Sequence, residues 1–535
     1  MKKTAKMAVN EKGERVIKIQ FDYDLTTLFQ VRSLPGRKYH PDWYYWSAPL
    51  QIETLNTLLH WQFTIDDSLQ KYMEKVKNRS DKIVRDGIPD LKGTLFPFQT
   101  KGISFVEAHN GRALIADQMG LGKTIQAIGW MQLHRDKIPV VIVCPASLKF
   151  NWQNEIEKWM PDPSIEILSG TKTYLPQKDI IIINYDILFA WTDILKKINP
   201  KILIFDEVHK TKSSKAQRTK ASKKLAKNIP HIIALSGTPI LNRPIEIYNA
   251  ITMIDGSIFP SYRYFVQTYC NYHFNGFGWD ANGASNVLEL NQRLTSSVMI
   301  RRLKKDVLPE LPDKMFSFVP IELKNQKEYA EAENDFIKFV REQKGLEAAK
   351  RANNAIQFAK IEGLKQLAGK GKLDDCITWI EDFLETEDKL VVFAWHTEII
   401  NTLLEKFSGK AVKFDGKMTA TEKENSKNSF MTDEKIKLFI GQIATAGEGI
   451  TLTVASNLAF IELPWTPGGL DQCIDRLHRI GQKECVNVHY LLAKDTIEER
   501  IAHLIDQKRQ TFDAVLDGKE TEQNSLLIEI MKLYE

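Results

Sequence analysis

Ala116-Asp117-Gln118-Met119-Gly120-Leu121-Gly122-Lys123-Thr124 lies between the apolar run Arg112 to Ala116, which reads as a short buried strand, and Thr124-Ile125-Gln126-Ala127-Ile128, which with Met131 continues as an apolar-periodic helix. A glycine-rich strand-to-helix turn of this kind suits a nucleoside triphosphate. Gly120 and Gly122 let the backbone wrap close to phosphates, successive N–H groups and the helix N-terminus face the anion, Lys123 reaches the β- and γ-phosphates, and Thr124 ligates magnesium. The P-loop signature places glycine five residues before Gly122, and here that position is Asp117. An ordinary glycine turn is the competing reading, so the rest of the chain decides.

At 535 residues the chain exceeds one core, and its length suits about three or four domains. Hydrophobic content of 43% is that of a globular protein. Because 73 basic residues face 68 acidic ones, for a net of +5, any affinity for nucleic acid must come from local clusters of charge. Cys144, Cys270, Cys376, Cys473 and Cys485 lie 12 or more residues apart, which fits neither zinc ligation nor a disulfide framework and points to a reducing compartment. Lys2, Lys3 and Lys6 are followed by no apolar signal region, and no run approaches bilayer-spanning length. The expectation is a soluble, intracellular protein without a membrane partner: cytoplasmic and nucleoid-associated in a prokaryote or phage, nuclear in a eukaryote.

Outward from the turn, Val140 to Cys144, Asp179 to Tyr185, Lys201 to Phe205 and His231 to Leu235 are near-continuous apolar runs. Strands covered on both faces read this way in a parallel, doubly wound sheet, whose functional groups gather at the carboxyl ends of the strands. There the chain carries Asp206-Glu207-Val208-His209 and Ser236-Gly237-Thr238-Pro239. Asp206 suits the surroundings of a phosphate-bound magnesium, Glu207 suits a base orienting water, and the hydroxyl-bearing turn could sense the γ-phosphate. Upstream, Leu95-Phe96-Pro97-Phe98-Gln99 either holds adenine through Gln99 or is a helix start with Pro97 in its first turn.

The flanks are less specific. Residues 14–70 are dense in aromatics, from Phe21, Tyr23 and Phe29 to Tyr39, Trp43, Tyr44, Tyr45 and Trp46, interleaved with Arg32, Arg37 and Lys38. They suit either stacking on bases or the core of a small β-rich module. Residues 71–93 read as a charged linker. Between 210 and 227, eight cations from Lys210 to Lys227 occur without an acid, suiting a phosphate backbone or a solvated helix face. Residues 240–360 lose strand alternation and read as helical and irregular, with a glycine-aromatic patch at Phe274 to Asp280 and a basic cluster, Arg301-Arg302-Leu303-Lys304-Lys305.

A second alternating unit follows. An amphipathic helix carries Ile377, Ile380, Phe383 and Leu384, and strands are expected at Lys389 to Ala394, Ile436 to Ile440 and Asn457 to Ile461. In the run Gly468 to Gln482, helical spacing puts Leu470, Cys473, Ile474 and Leu477 on one face and Gln472, Arg476 and Arg479 on another. Those arginines suit finger residues for a triphosphate held by the first unit, against a solvated face with a surface pair between Asp475 and Arg479.

Taken in order, Gln99, Asp117 to Thr124, Pro145 to Trp159, Asp206 to His209, Ser236 to Pro239, Trp395-His396, Ala446-Gly447-Glu448-Gly449 and Asp475 to Gln482 resemble the motifs of Swi/Snf-type ATPases of helicase superfamily two, across roughly residues 90–510. The resemblance is nearest to the HARP-domain annealing helicases, through Gly278-Trp279-Asp280, Met299 to Leu308, and Pro35 to Trp46 as the HARP module. Asp117 is what this family carries. The resemblance implies an α/β fold of two RecA-like, doubly wound parallel-sheet lobes with helical insertions and a small N-terminal α+β module. It divides the chain into a recognition module (14–70), linker (71–93), lobe 1 (94–320), helical joint (321–364), lobe 2 (365–512) and helical tail (513–535). It also implies ATP and Mg2+ as cofactors and duplex or fork-like DNA as partner, with the chain acting as a monomer. The implied roles are Gln99 on adenine, Gly120, Gly122, Lys123 and Gly449 on nucleotide, Thr124 and Asp206 on magnesium, Glu207 as base, and Arg476 with Arg479 as fingers. Glu448 between glycines departs from the commoner form. The expected activity is DNA-dependent ATP hydrolysis driving tracking on duplex and strand reannealing at forks, against a nucleosome remodeller or a low-turnover nucleotide-gated scaffold.

Overall fold

The computed structural model describes residues 3–505 apart from 11–14, 35, 241–242, 260, 275–277, 282, 343–349, 387–388, 447–449 and 504. The expected tail at 513–535 lies outside the described residues. The chain divides into two units between Leu303 and Lys304.

The first unit opens with a five-stranded sheet in the order Lys38–His40, Tyr45–Pro49, Arg15–Phe21, Lys3–Val9 and Thr64–Ile65. Its first strand precedes residue 14, so the module starts earlier than the sequence reading placed it. Alternation along the strands turns Ala5, Ile17 and Ile19 inward against Val31, Leu55 and Leu58. That core is mainly aliphatic, but Phe63 is buried in it and Phe21 and Trp46 pack against it. Trp43 is 73% and Tyr44 82% exposed, so the two readings divide between residues: Phe21 and Trp46 serve the core, and these two rings do not. The cause is local: Pro41–Trp43 forms one 3-10 turn, and Tyr44 at its end takes φ 47°, lifting both rings off the sheet.

In place of a linker at 71–93, Asp67–Asp86 is a 20-residue helix, capped where the Asp66 carboxylate accepts from the Leu69 N–H at 2.9 Å and ended by Gly87 at φ 74°. Leu69 joins the core of the module and Ile83 that of the next sheet.

That next sheet is wholly parallel, ordered Met299–Ile300, Arg112–Ile115, His231–Leu235, Ile202–Asp206, Val140–Cys144, Ile180–Asn184 and Ile165–Ile167. Every residue of Val140–Cys144, Ile180–Asn184 and Ile202–Asp206 is buried, which is why these strands read as unbroken apolar runs.

The second unit holds a six-stranded parallel sheet ordered Lys314–Ile321, Val486–Ala493, Asn457–Phe460, Leu390–Ala394, Leu438–Gln442 and Ala411–Phe414. Lys314–Ile321 falls in a span read as strandless and places the change of sheet before residue 320. As an edge strand it leaves Phe316 and Phe318 exposed, and so lacks the apolar run of a central one. The two units are RecA-like α/β lobes, with the helical elements Tyr262–Tyr269 and Val287–Thr295 inserted in the first.

Candidate nucleotide site

The phosphate-type turn starts at the carboxyl end of Arg112–Ile115 and closes on the helix Lys123–Leu133. Gly120 (φ 84°) and Gly122 (φ 74°) occupy the left-handed region that a side chain resists, and a Cβ on Gly122 would stand 2.5 Å from Gln99 Nε2. Lys123 Nζ curls back to donate to the Asp117 carbonyl at 2.9 Å, beside Gly237 of the Ser236 to Pro239 turn. Thr124 follows in the first turn of the helix.

Asp117 has a structural reason to stand in place of glycine. Its side chain is fully buried: Oδ1 accepts from Arg302 Nε at 2.9 Å, and Oδ2 from Gln126 Nε2 at 3.0 Å and from Arg302 Nη2. Arg302 also donates to Gln126 Oε1 at 2.8 Å and to the Phe98 carbonyl. One planar guanidinium thereby ties the turn to the helices on either side of it in sequence. Arg302 is therefore no part of an exposed basic cluster. The signal that could have found it was the acid itself, since a buried carboxylate in a phosphate loop requires a counter-charge.

Gln99, expected on adenine, makes two hydrogen bonds within the protein. Its Oε1 accepts from the Phe96 N–H at 3.0 Å, closing the start of the helix Pro97–Ala108, and its Nε2 donates to the Leu121 carbonyl at 3.2 Å, bracing the turn.

At the end of Ile202–Asp206, Trp152 Nε1 donates to Asp206 Oδ2 at 2.8 Å and the Glu207 N–H to Oδ1 at 2.9 Å, while Tyr185 Oη donates to the Asp206 carbonyl at 2.8 Å. Burial first and the Glu207 charge second raise the Asp206 carboxyl to about 7, against the pull of Trp152 and Lys123. Glu207 takes φ 49°. His209 Nδ1 lies 3.1 Å from Glu207 Oε2 and 3.1 Å from Ser236 Oγ, so one imidazole links the acid pair to the hydroxyl turn. The buried Asp206 carboxyl and the Thr124 hydroxyl supply hard oxygen atoms of the kind that suit magnesium. Among the described residues no group of three or more His, Cys, Asp or Glu is placed to hold a metal ion.

In the second unit the helix Pro467–Ile474 starts at a Thr466 cap and stops before the arginines. Gln472, Arg476 and Arg479 therefore form no single outward helical stripe. Arg476 is buried, with Nε donating to the Gln472 carbonyl at 3.0 Å and Nη1 to the Ile450 carbonyl at 3.4 Å. Arg479 Nη1 donates to Thr451 Oγ1 at 2.7 Å and to the Ile450 carbonyl at 3.4 Å. Both arginines thus converge on the segment that follows Gly447 to Gly449, and Gly449 itself lies outside the described residues. Asp475, weighed as a surface partner of Arg479, is instead buried against Lys304 Nζ at 2.7 Å. Glu462, which sequence reasoning did not single out, follows the strand Asn457–Phe460 as Asp206 ends its own strand. Its carboxylate accepts from the N–H groups of Trp395 at 2.7 Å and His396 at 2.8 Å and meets His396 Nδ1 at 2.5 Å.

The lysine-rich stretch 210–227 is a 3-10 turn, Val208–Thr211, and the helix Gln217–Ala226, with Lys215, Arg218, Lys220, Lys224 and Lys227 exposed. Lys224 meets Asp193 at 2.6 Å. All five cysteines are free, and among the described residues no helix is long and apolar enough to cross a membrane.

Compared with known proteins, residues 51–367 match the SNF2-related domain and residues 371–481 the helicase conserved C-terminal domain. The chain is 34% identical over 482 residues to the DNA annealing helicase and endonuclease ZRANB3 of Homo sapiens, covering 85% of this chain and 43% of that protein. It is 31% identical over 534 residues to the SWI/SNF-related matrix-associated actin-dependent regulator of chromatin subfamily A-like protein 1 homolog of Caenorhabditis elegans, covering 95% of this chain and 76% of that one. A solved Sulfolobus solfataricus SWI2/SNF2 ATPase core in complex with dsDNA is 27% identical, covering 80% of this chain and 94% of its own at a TM-score of 0.40. The chain spans less than half the length of the ZRANB3 relative. With the matching domain extending over more than half of its residues, around a phosphate-type turn and an acid pair at strand ends, this chain belongs to the SNF2-related family of helicase-like ATPases.

Proposed function

We propose that this protein is a magnesium- and DNA-dependent ATPase that tracks along duplex DNA and reanneals or remodels strands at fork-like junctions. The observation that carries the reading is the buried pair Asp206-Glu207 at a strand end, with Lys123 among the charges that act on Asp206. On this reading Lys123 leaves the Asp117 carbonyl for the β- and γ-phosphates, and the N–H groups around Gly120 and Gly122 line the phosphate chain. Thr124 and Asp206 would hold magnesium, which when bound neutralises charge on the phosphate oxygens. Glu207 orients a water and takes its proton as the water oxygen bonds to the γ-phosphorus and the bond to the β-phosphate oxygen breaks. Departure of phosphate is relayed from Ser236 through His209. Arg476 and Arg479 leave their carbonyl acceptors to stabilise the transferring phosphoryl. Gln99 meets adenine with the one N–H and the one lone pair beyond its two internal bonds.

The N-terminal module is the junction reader of this proposal. Its exposed Tyr39, Trp43 and Tyr44 would stack on unpaired bases, while exposed Arg32 and Lys38 hold phosphates. The protein acts as a monomer. ATP hydrolysis measured with forked, duplex and single-stranded DNA tests the reading, alongside annealing of complementary strands. Stimulation is expected with duplex and most strongly with forks; no stimulation by any DNA would refute it.

A further inference from the structure

The chain crosses from one unit to the other within Arg301-Arg302-Leu303-Lys304, and three of these four side chains are anchored in different places. On the first side, Met299–Ile300 pairs with the strand that leads into the phosphate turn. The ladder continues past its end, with the Ala116 N–H donating to the Ile300 carbonyl at 2.8 Å and the Gln118 N–H to the Arg302 carbonyl at 3.0 Å. Arg301 Nη1 donates to the Ala116 carbonyl at 3.0 Å and the Gly237 carbonyl at 3.4 Å, and Arg302 grips Asp117, whose carbonyl holds Lys123. On the second side, Lys304 Nζ donates to Asp475 Oδ1 at 2.7 Å and to the His478 carbonyl. His478 is fixed in turn by Nε2, 2.7 Å from the Pro312 carbonyl. Asp475 immediately precedes Arg476, and His478 immediately precedes Arg479.

We infer that Arg302 and Lys304 are positioning residues for ATP turnover, two anchors on one strap that sets the phosphate turn through Asp117 and the arginine segment through Asp475 and His478. The inference rests on Arg476 and Arg479 acting as fingers. Only Leu303 lies between the anchors, so a shift of the phosphate turn is passed to the arginine segment through a few covalent bonds. Burial of Lys304 and Asp475 is a costly way to gain stability alone, because a buried pair recovers little beyond its own desolvation, but it fixes geometry. Burial pulls the Lys304 ammonium down to about 8, and the nearby lysine charge holds the Asp475 carboxyl below its ordinary value in spite of burial, so the pair is ionised at neutral pH.

The test separates fold, binding and turnover. Lys304→Met alone strands Asp475, whereas Lys304→Met with Asp475→Leu removes both charges and restores folding. The double variant is expected to melt like the wild type and bind a fluorescent ATP analogue within about twofold, yet to lose DNA-stimulated kcat by about a hundredfold, the scale of a misplacement near 1 Å. Arg302→Met is expected to weaken binding of the analogue by about tenfold or more. A folded double variant with wild-type kcat overturns the inference, as does undiminished binding by Arg302→Met. Arg476→Ala and Arg479→Ala, assayed in parallel, report on the finger reading by itself: if both keep wild-type kcat, that reading fails, whatever the strap variants do.

Discussion

Glu207→Gln separates two roles that the acid pair combines. In the nucleotide-free protein Asp206 sits at about 7 because it is buried and because Glu207 follows it directly. A cation partner must be ionised, so below that value each pH unit costs about 1.4 kcal/mol, and binding of MgATP at pH 6 should be about tenfold weaker than on the plateau above pH 8. Removing a like charge at such range lowers the neighbouring carboxyl by roughly 1–2 units. The midpoint of the binding profile should therefore move from about 7 to between roughly 5 and 6, while turnover falls by about 10²–10⁴ with loss of the base. A carboxyl raised from 3.8 in the unfolded chain to about 7 in the fold makes the nucleotide-free protein less stable as pH rises between those values, and Glu207→Gln should recover part of that loss. Fluorescent-ATP titrations with and without Mg2+ from pH 5.5 to 8.5 measure the profile. Asp206→Asn, which cannot ionise, supplies the baseline for the nucleotide's own titration. A wild-type profile no steeper than this baseline, or a midpoint unmoved in Glu207→Gln, would show that the Asp206 carboxyl does not control MgATP binding.

Three further outcomes follow from other parts of the molecule. Asp117→Gly restores the commoner phosphate-loop residue but leaves the Arg302 cation without its carboxylate, and should lower stability by about 3–5 kcal/mol in denaturant unfolding; an unchanged midpoint would show that the ion pair is not needed. Gly102→Ala would bring a Cβ within 1.9 Å of Gln126 Oε1, and should cost about 1–3 kcal/mol by thermal melting while weakening ATP binding; a variant as stable as wild type would mean that the cluster relaxes freely. Trp43→Ala and Tyr44→Ala remove exposed rings, so stability should stay within about 0.5 kcal/mol, whereas fork binding should weaken by about 1–3 kcal/mol for each base that loses its stack. Fork affinity equal to wild type would remove the aromatic surface from the proposed junction reader.

Much of the first lobe was legible because its chemistry sits where local pattern changes. A strand period gives way to glycine and then to a helix period at Gly120 to Thr124, and an apolar run stops at Asp206. The same rule also applies to Glu462, which was passed over because its strand is followed by no recognised turn. Lys314–Ile321 escaped because an edge strand exposes one face, and the arginine stripe failed because the Pro467–Ile474 helix ends a residue before Asp475.

The two α/β units, the phosphate turn, the acid pair and the motifs of the family resemblance can be read along the chain, since each is written in residues a few positions apart. Folding alone brings Arg302 onto Asp117 across 185 residues, joins Asp475 to Lys304 across 171 rather than to Arg479 nearby, and turns Trp43 and Tyr44 to solvent. Periodicity and turn chemistry are imposed by near neighbours along the chain. The partner of a buried charge is chosen by whatever the fold brings beside it after water has been excluded.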